Sequence, residues 1–468
     1  MPDTTVFSRV RATTRRFAGD KRGNIAVLFA IAAVPLISFV GAAIDYTRAN
    51  AARSSMQAAL DSTALMLGKD LTDGTINTSQ ISTKAAAYFT ALYTNKDAKS
   101  VSVTATYTAA AGNGSTILLN GSGSVTTDFM RVAGFPNLNF NTSSTAAWGN
   151  VRMRVAMALD NTGSMASDGK IAALRTSAAS LVDQLSALAK NPGDVYISVI
   201  PFAKDVNVGS SNYNQSWLDW SLWDANSLTN NWGTCSNTNK TSRSSCLNAS
   251  ATWTPDRTKW TGCVTDRTHP YDQQNTAPSA GNAPTLFPAD EYYENNEYYC
   301  KTNNNPPLQA LMPLSYDWTA IKATINAMQP TGGTNQPIGI AWAWQSLQQT
   351  APLNAPAEDS NYTYKKALIV LSDGLNTEDR WPANGNGQTQ FGGAIDTIQQ
   401  TLCTNIKNAG VIVYSIQLNT GSPGDPTSTA LKNCASSIDK FYEVKDASQT
   451  LTVFNSIGTS LAKLRVAK

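Results

Sequence analysis

The sequence predicts an α/β protein: a doubly wound, mostly parallel sheet with a large insertion, preceded by a membrane helix, a helical stalk and a small β module. Three observations carry that expectation. Beyond residue 150, apolar runs at 155–159, 195–202, 367–371 and 411–418 alternate with helical periods, the pattern of a parallel sheet covered on both faces. From residue 24 to residue 44 there is no charged side chain. At 160–164 an apolar strand ends in Asp-Asn-Thr-Gly-Ser, a carboxylate and two hydroxyls at alternate positions.

With 468 residues the chain has room for two or three domains and a large core. Charged residues make up only 15%, against the usual quarter, and Ser, Thr, Asn and Gln fill the difference, a balance that suits an envelope or secreted protein. The formal net charge is +3, but residues 1–22 hold six basic and two acidic side chains, +4, which leaves −1 for the remainder. The basic excess therefore belongs to one tail beside an apolar segment, and a nucleic-acid partner is not expected.

The uncharged run is long enough for one span of a hydrocarbon core of about 30 Å. Basic residues precede it and Asp45 follows it, so the positive-inside rule puts residues 1–22 in the cytoplasm as a basic tail, a membrane helix at 23–45 and everything after it outside. A cleaved signal peptide is the rival, with small residues at Val40, Gly41 and Ala42; a pilin-type leader would want Glu where Leu28 stands.

After the span, Ala49, Ala52, Met56, Leu60, Thr63 and Leu67 recur every three or four residues and continue the helix as an amphipathic stalk over 46–98, with a second helix carrying Ile81, Ala85, Tyr88 and Leu92 as cover. Alternation at 101–108 and a Gly-Asn-Gly turn at 112–114 predict a small antiparallel module over 99–150. The head, 151–468, ends in a helix whose stripe is Leu451, Phe454, Ile457, Leu461 and Leu464.

One stretch, about 205–313, breaks the alternation and holds four cysteines with Trp217, Trp220, Trp223, Trp232, Trp253 and Trp260. A structureless loop of that length would be exceptional, so it reads as a disulfide-held insertion. Its aromatics form either a small core of their own or a recognition surface. Asp290, Glu291, Glu294 and Glu297 lack EF-hand spacing. All six cysteines follow the span, an even number that favours disulfides. Cys403 and Cys434 are expected to pair, since each lies in a helix flanking the strand at 411–418; Cys235, Cys246, Cys263 and Cys300 leave three connectivities open.

Along a strand that turns sharply at its carboxyl end, Asp160, Thr162 and Ser164 can aim at one point in the crevice where open α/β sheets bind ligands. Thr334, in the turn Thr-Gly-Gly-Thr-Asn, and Asp373, after the apolar strand at 367–371, supply partners. Together these segments resemble the metal-ion-dependent adhesion site of the von Willebrand factor A family. That resemblance implies a Mg²⁺ site, with Mn²⁺ or Ca²⁺ as alternatives. In it the two Asp act through water, Thr162, Ser164 and Thr334 bind directly, and one position is left for a partner's Asp or Glu. Thr162 stands where many members have Ser. Catalysis is not expected: the glycine spacing after Gly163 misses a phosphate loop, and His269 is the only histidine.

The chain as a whole resembles the TadG-like proteins of Flp (Tad) pilus assembly. The likeness rests on RGNIAVLF from Arg22, QAALDSTAL from Gln57, LDNTGSM from Leu159, GTN from Gly333 with WAW from Trp342, and SDG from Ser372. It implies an envelope protein anchored once in the inner membrane, its bulk periplasmic, that meets pilus or secretin components. The alternative is a surface or secreted adhesin using the same site and the aromatic insertion on a host or matrix ligand.

Overall fold

A computed structural model describes residues 24–72, 75–108, 115–148, 151–226, 229, 231–294, 297–300, 307–360, 362–385, 393–421 and 426–466. The basic tail before residue 24 lies outside them, as does the side chain of Leu464. The chain divides into two units, at residues 150 and 151.

In the first unit, helix α1 (Asn24–Thr72) runs unbroken through Pro35. From Val27 to Ile44 it exposes a largely apolar surface, while Ala49, Ala52, Met56, Leu60, Thr63 and Leu67 are buried as one stripe. That stripe is covered by α2 (Ile81–Leu92) and by an antiparallel sheet of β1 (Ala98–Thr108), β2 (Ser115–Thr126) and β3 (Asn137–Trp148), in the order β1-β2-β3. Ile117 and Leu119 of β2 and Phe89 of α2 share the core with Met56 and Leu60. Stalk and sheet are therefore one packed body, because neither the stripe nor the inner sheet face could stay in water alone.

The second unit is built on β4 (Val151–Asp160), β5 (Val195–Phe202), β6 (Met312–Ser315), β7 (Thr363–Ser372), β8 (Ile412–Leu418) and β9 (Phe441–Val444). The parallel strands run β5-β4-β7-β8-β9, and β6 joins β5 antiparallel. This is a doubly wound arrangement, with β4 at its centre and helices on both faces. Alternation along β4 sends Val155, Met157 and Leu159 to one apolar cluster and Ala156 and Ala158 to the other. The first cluster contains residues of α3 (Lys170–Leu188), α4 (Trp318–Ala327) and the last helix, α8 (Thr450–Val466). Phe454, Ile457 and Leu461 of α8 are buried there, but Leu451 is exposed, since the helix has only just begun to cross the sheet. The second cluster contains α5 (Gln336–Ser346), α6 (Ala394–Asn408) and α7 (Thr429–Cys434).

Most of the insertion's tryptophans join the core of the head instead of forming a surface, while Cys263, Tyr292, Cys300 and Leu308 make a small cluster apart from it. Trp217, Trp220, Trp223 and Trp260 are buried in the same cluster as Trp342 and Trp344 of α5. Ring centroids of Trp217 and Phe287 lie 6.1 and 4.5 Å from that of Trp342. Helix α5 is consequently buried on nearly all sides, a third layer between sheet and insertion. Disulfides join Cys235 to Cys246 and Cys263 to Cys300 within the insertion, and Cys403 to Cys434 between α6 and α7 as expected.

Leu60→Ala should destabilise the first unit by about 2–5 kcal/mol, the usual cost of emptying a filled core position. Hydrogen exchange in β2 should accelerate while exchange in β4 stays unchanged; equal protection of β2 in both proteins would contradict the shared core.

Candidate metal centre

Asp160 closes the central strand and is fully buried. Its Oδ1 accepts the Thr162 amide at 2.8 Å, which makes the chain turn back over the strand end, and its Oδ2 accepts the Ser372 hydroxyl at 2.5 Å. Because β4 and β7 are parallel neighbours with Leu159 beside Leu371, Asp160 and Asp373 come from adjoining strand ends. Thr162 Oγ1 and Ser164 Oγ lie 3.0 Å apart, and Ser164 donates to Asp373 Oδ1 at 2.8 Å. Four of the five residues singled out in the sequence thus form one chain of oxygens.

Thr334 lies on a neighbouring loop, and among the described residues no hydrogen bond joins it to the other four. Gly163 donates its amide to Gly332 O at 2.9 Å, and Thr331 donates to Asn161 O at 2.7 Å, so the two loops are fastened together. Thr334 itself is held through its backbone, donating to Thr377 Oγ1 at 2.8 Å and accepting from the Thr377 amide at 2.9 Å. Gly332 has φ of +74°, and a side chain at Gly333 would collide with the Glu378 carboxylate, so the turn needs both glycines.

Three further residues take part that the sequence reading did not place in the site. Lys170, the first residue of α3, puts Nζ 2.8 Å from Asp373 Oδ2 in a nearly buried ion pair. Ser372 fixes the second oxygen of Asp160. Tyr292, from the insertion, donates its hydroxyl to Glu378 Oε1 at 2.9 Å and accepts the Gly333 amide at 3.2 Å. The first was visible only as a lysine six residues beyond Ser164; the other two meet the site through long-range contacts.

Burial, and then the charge of Asp373, push the Asp160 carboxyl up to about 7, against the hydrogen bonds from Ser372 and Thr162. Two carboxylates, two hydroxyls and one ammonium make a cluster of hard-oxygen groups beside one cationic side chain. Among the described residues no three His, Cys, Asp or Glu side chains gather as a metal-holding group.

Residues 23–66 match the model of a family described as "Putative Flp pilus-assembly TadE/G-like". The N-terminal segment is thereby TadE/G-like, in line with the resemblance read from its sequence. No curated protein matches the chain. Among solved structures it is similar to the vWF domain of the type V pili tip protein Mfa5 from Porphyromonas gingivalis, with a TM-score of 0.35 and 10% identity, covering 68% of this chain and 98% of that one. It is similar also to the PilB minor pilin from Streptococcus sanguinis, with a TM-score of 0.35, 11% identity and coverage of 78% and 79%. For proximal thread matrix protein 1 of the mussel byssus the TM-score is 0.31 at 12% identity, covering 66% of this chain and 46% of that one. The chain thus spans less than half the length of the mussel protein.

Beside the site, Asp266 accepts Asn335 Nδ2 at 2.8 Å and the Arg380 amide at 3.1 Å. Burial, then the charge of Asp379, push its carboxyl up to about 7. A carboxyl raised in this way favours the folded state below its ordinary range near 3.8, and that advantage is lost as pH rises towards about 7. Asp266→Asn keeps an acceptor and never ionises. Denaturant unfolding of the variant between pH 5 and 7 should show a slope shallower than wild type by up to ~1.4 kcal/mol per pH unit; parallel slopes would count against a raised Asp266.

Proposed function

We propose that this is a membrane-anchored envelope component of Flp (Tad) pilus assembly. Its head would bind a partner protein through a Mg²⁺ ion held at Asp160, Thr162, Ser164, Thr334 and Asp373. The observation that carries this reading is the run of oxygens from Thr162 through Ser164 to Asp373 at the carboxyl end of the central strands. Neutral hydroxyls suit direct contact with a small hard cation, and carboxylates already engaged by Ser372, Thr162 and Lys170 suit contact through water. An ion held that way keeps positive charge for an outside Asp or Glu. The TadE/G-like segment and α1 support the anchored location: Val27–Leu71 is, among the described residues, the one helix long and apolar enough to cross a membrane. The adhesin reading draws less support, since the insertion's tryptophans are largely buried.

Lys170 sets the character of such a site. With Asp160 and Asp373 ionised, its ammonium reduces the local charge from −2 to −1 and holds Asp373 in place before any ion arrives. Affinity for the cation should therefore be modest, and the loops preformed.

Residues 46–468, produced in an oxidising compartment, should bind Mg²⁺ calorimetrically and capture envelope proteins only when the ion is present. Asp160→Ala should abolish both while leaving the circular dichroism spectrum intact; capture that persists in EDTA or in the variant would reject the adhesion-site reading. Lys170→Met should tighten Mg²⁺ binding by roughly tenfold, a fraction of the Coulomb repulsion between an ammonium and a divalent ion a few ångströms away. Weaker binding in that variant would mean that Lys170 supports the site instead of opposing the ion.

A further inference from the structure

The turn between β2 and β3 carries an apolar tip that the adhesion-site reading leaves unused. Phe129 is 42% exposed, Val132 89% and Phe135 58%, within seven residues. A tip of that kind at random on a water-facing surface would be an aggregation hazard, so its surroundings matter. It sits against the apolar length of α1: a methyl added at Gly41 would overlap the Phe129 ring, and Leu36, Ile37, Val40 and Ile44 line a groove with that ring. These helix residues are themselves exposed in the isolated chain, and they belong to the segment apolar enough to span a bilayer.

The backbone of the turn is prepared for a place without water. Asp45 is fully buried and accepts the amides of Asp128, Phe129 and Met130 at 3.0, 2.9 and 2.8 Å. The amides of Val132, Gly134 and Phe135 go to carbonyls of the turn itself, and the Thr127 hydroxyl takes the Phe135 carbonyl at 2.5 Å. Unpaired amides oppose entry into hydrocarbon, and these six are paired. Polar groups stand at the level of Asp45: Arg48 pairs with Asp128 at 2.6 Å and with Asp97 at 3.5 Å, and Tyr46 is exposed beside them. Gly41 lies one helical turn from Asp45 towards the middle of the span, about 6 Å along the axis. Phe129 is therefore already on the hydrocarbon side of the charged belt. Arg131, exposed on the same turn, is long enough to return its guanidinium to the headgroups.

We propose that residues 129–135 form a second membrane contact: Phe129, Val132 and Phe135 insert among the acyl chains of the leaflet into which α1 emerges. The occupant of this apolar surface is lipid, because through Phe129 the surface continues that of the spanning helix. The proposal rests on α1 being a retained anchor. With two contacts instead of one, the first unit cannot swivel freely about α1 and is held at a defined tilt on the membrane.

The test uses the full-length chain in lipid nanodiscs. All six native cysteines are in disulfides, so Val132→Cys offers a single thiol for a nitroxide, and Ser79→Cys, exposed on the loop between α1 and α2, offers a control. Power-saturation measurements should show the label at 132 colliding several-fold more often with oxygen than with a water-soluble nickel chelate, at a depth of roughly 5–10 Å, with the opposite preference at 79. A label at 132 as open to the nickel chelate as the one at 79 would overturn the proposal. Low accessibility to both reagents would overturn it too, pointing to a protein occupant. Failure of the chain to co-elute with the nanodiscs would remove the anchor itself, a different result from an anchored chain whose turn stays in water.

Discussion

Everything at the carboxyl end of the head's central strands depends on one arrangement, two carboxylates brought together where adjoining parallel strands stop. Asp160 has no exposure, and the nearby charge of Asp373 adds to the cost of ionising it. The fold can hold such a pair only by surrounding it with donors. The Thr162 amide and the Ser372 hydroxyl serve Asp160; the Ser164 hydroxyl and Lys170 serve Asp373. The four donors come from three segments, so the strand ends, the 160–164 turn and the start of α3 are drawn to one point by the same electrostatic need. The proposed cation would complete this compensation, which is why its site and the local fold are difficult to separate.

Much of this was legible in the sequence where the signal was local. Period-two and period-3.6 patterns gave the strands and helices, and the stripe from Ala49 to Leu67 is buried as its spacing implies. The oxygens of Thr162 and Ser164 converge because a strand followed by a tight turn leaves them little choice. Other features were not legible, for a common reason. Lys170 meets Asp373 across 203 residues and Ser372 meets Asp160 across 212, and nothing in either neighbourhood marks those residues as partners. Asp45 looked like the polar end of a membrane span; its work, holding a turn more than 80 residues away, appears only in three dimensions.

The insertion shows the limit of composition as a guide. A cluster of tryptophans fits either packing or recognition, and periodicity cannot decide when the elements are only two or three residues long. Packing prevails here because α5 turns its own Trp342 towards the insertion, against Trp217 and Phe287, and a helix left with that side chain uncovered would expose a large apolar surface. The small residues Ala156 and Ala158 on the central strand belong to the same cluster, leaving room for that helix to lie close.

Coverage of α5 also carries the insertion to the end of the sheet where Asp160 and Asp373 meet. Tyr292 stacks on Tyr299 with centroids 4.4 Å apart, and Lys204 lies over its other surroundings, 4.8 Å from the ring centre. So fixed, its hydroxyl bridges the Glu378 carboxylate and the Gly333 amide, one residue before Thr334. Asp266, two residues past a short edge strand of the insertion, grips Asn335, one residue after Thr334. The loop that bears Thr334 is therefore held from both sides by a segment that supplies none of the five proposed ligands. A loop left to itself between Gly332 and Gly333 would sample many conformations, since glycine restricts the backbone least. The physical role that follows for the insertion is to remove that freedom, so that the Thr334 segment is ordered by packing and hydrogen bonds and need not be ordered by the ion.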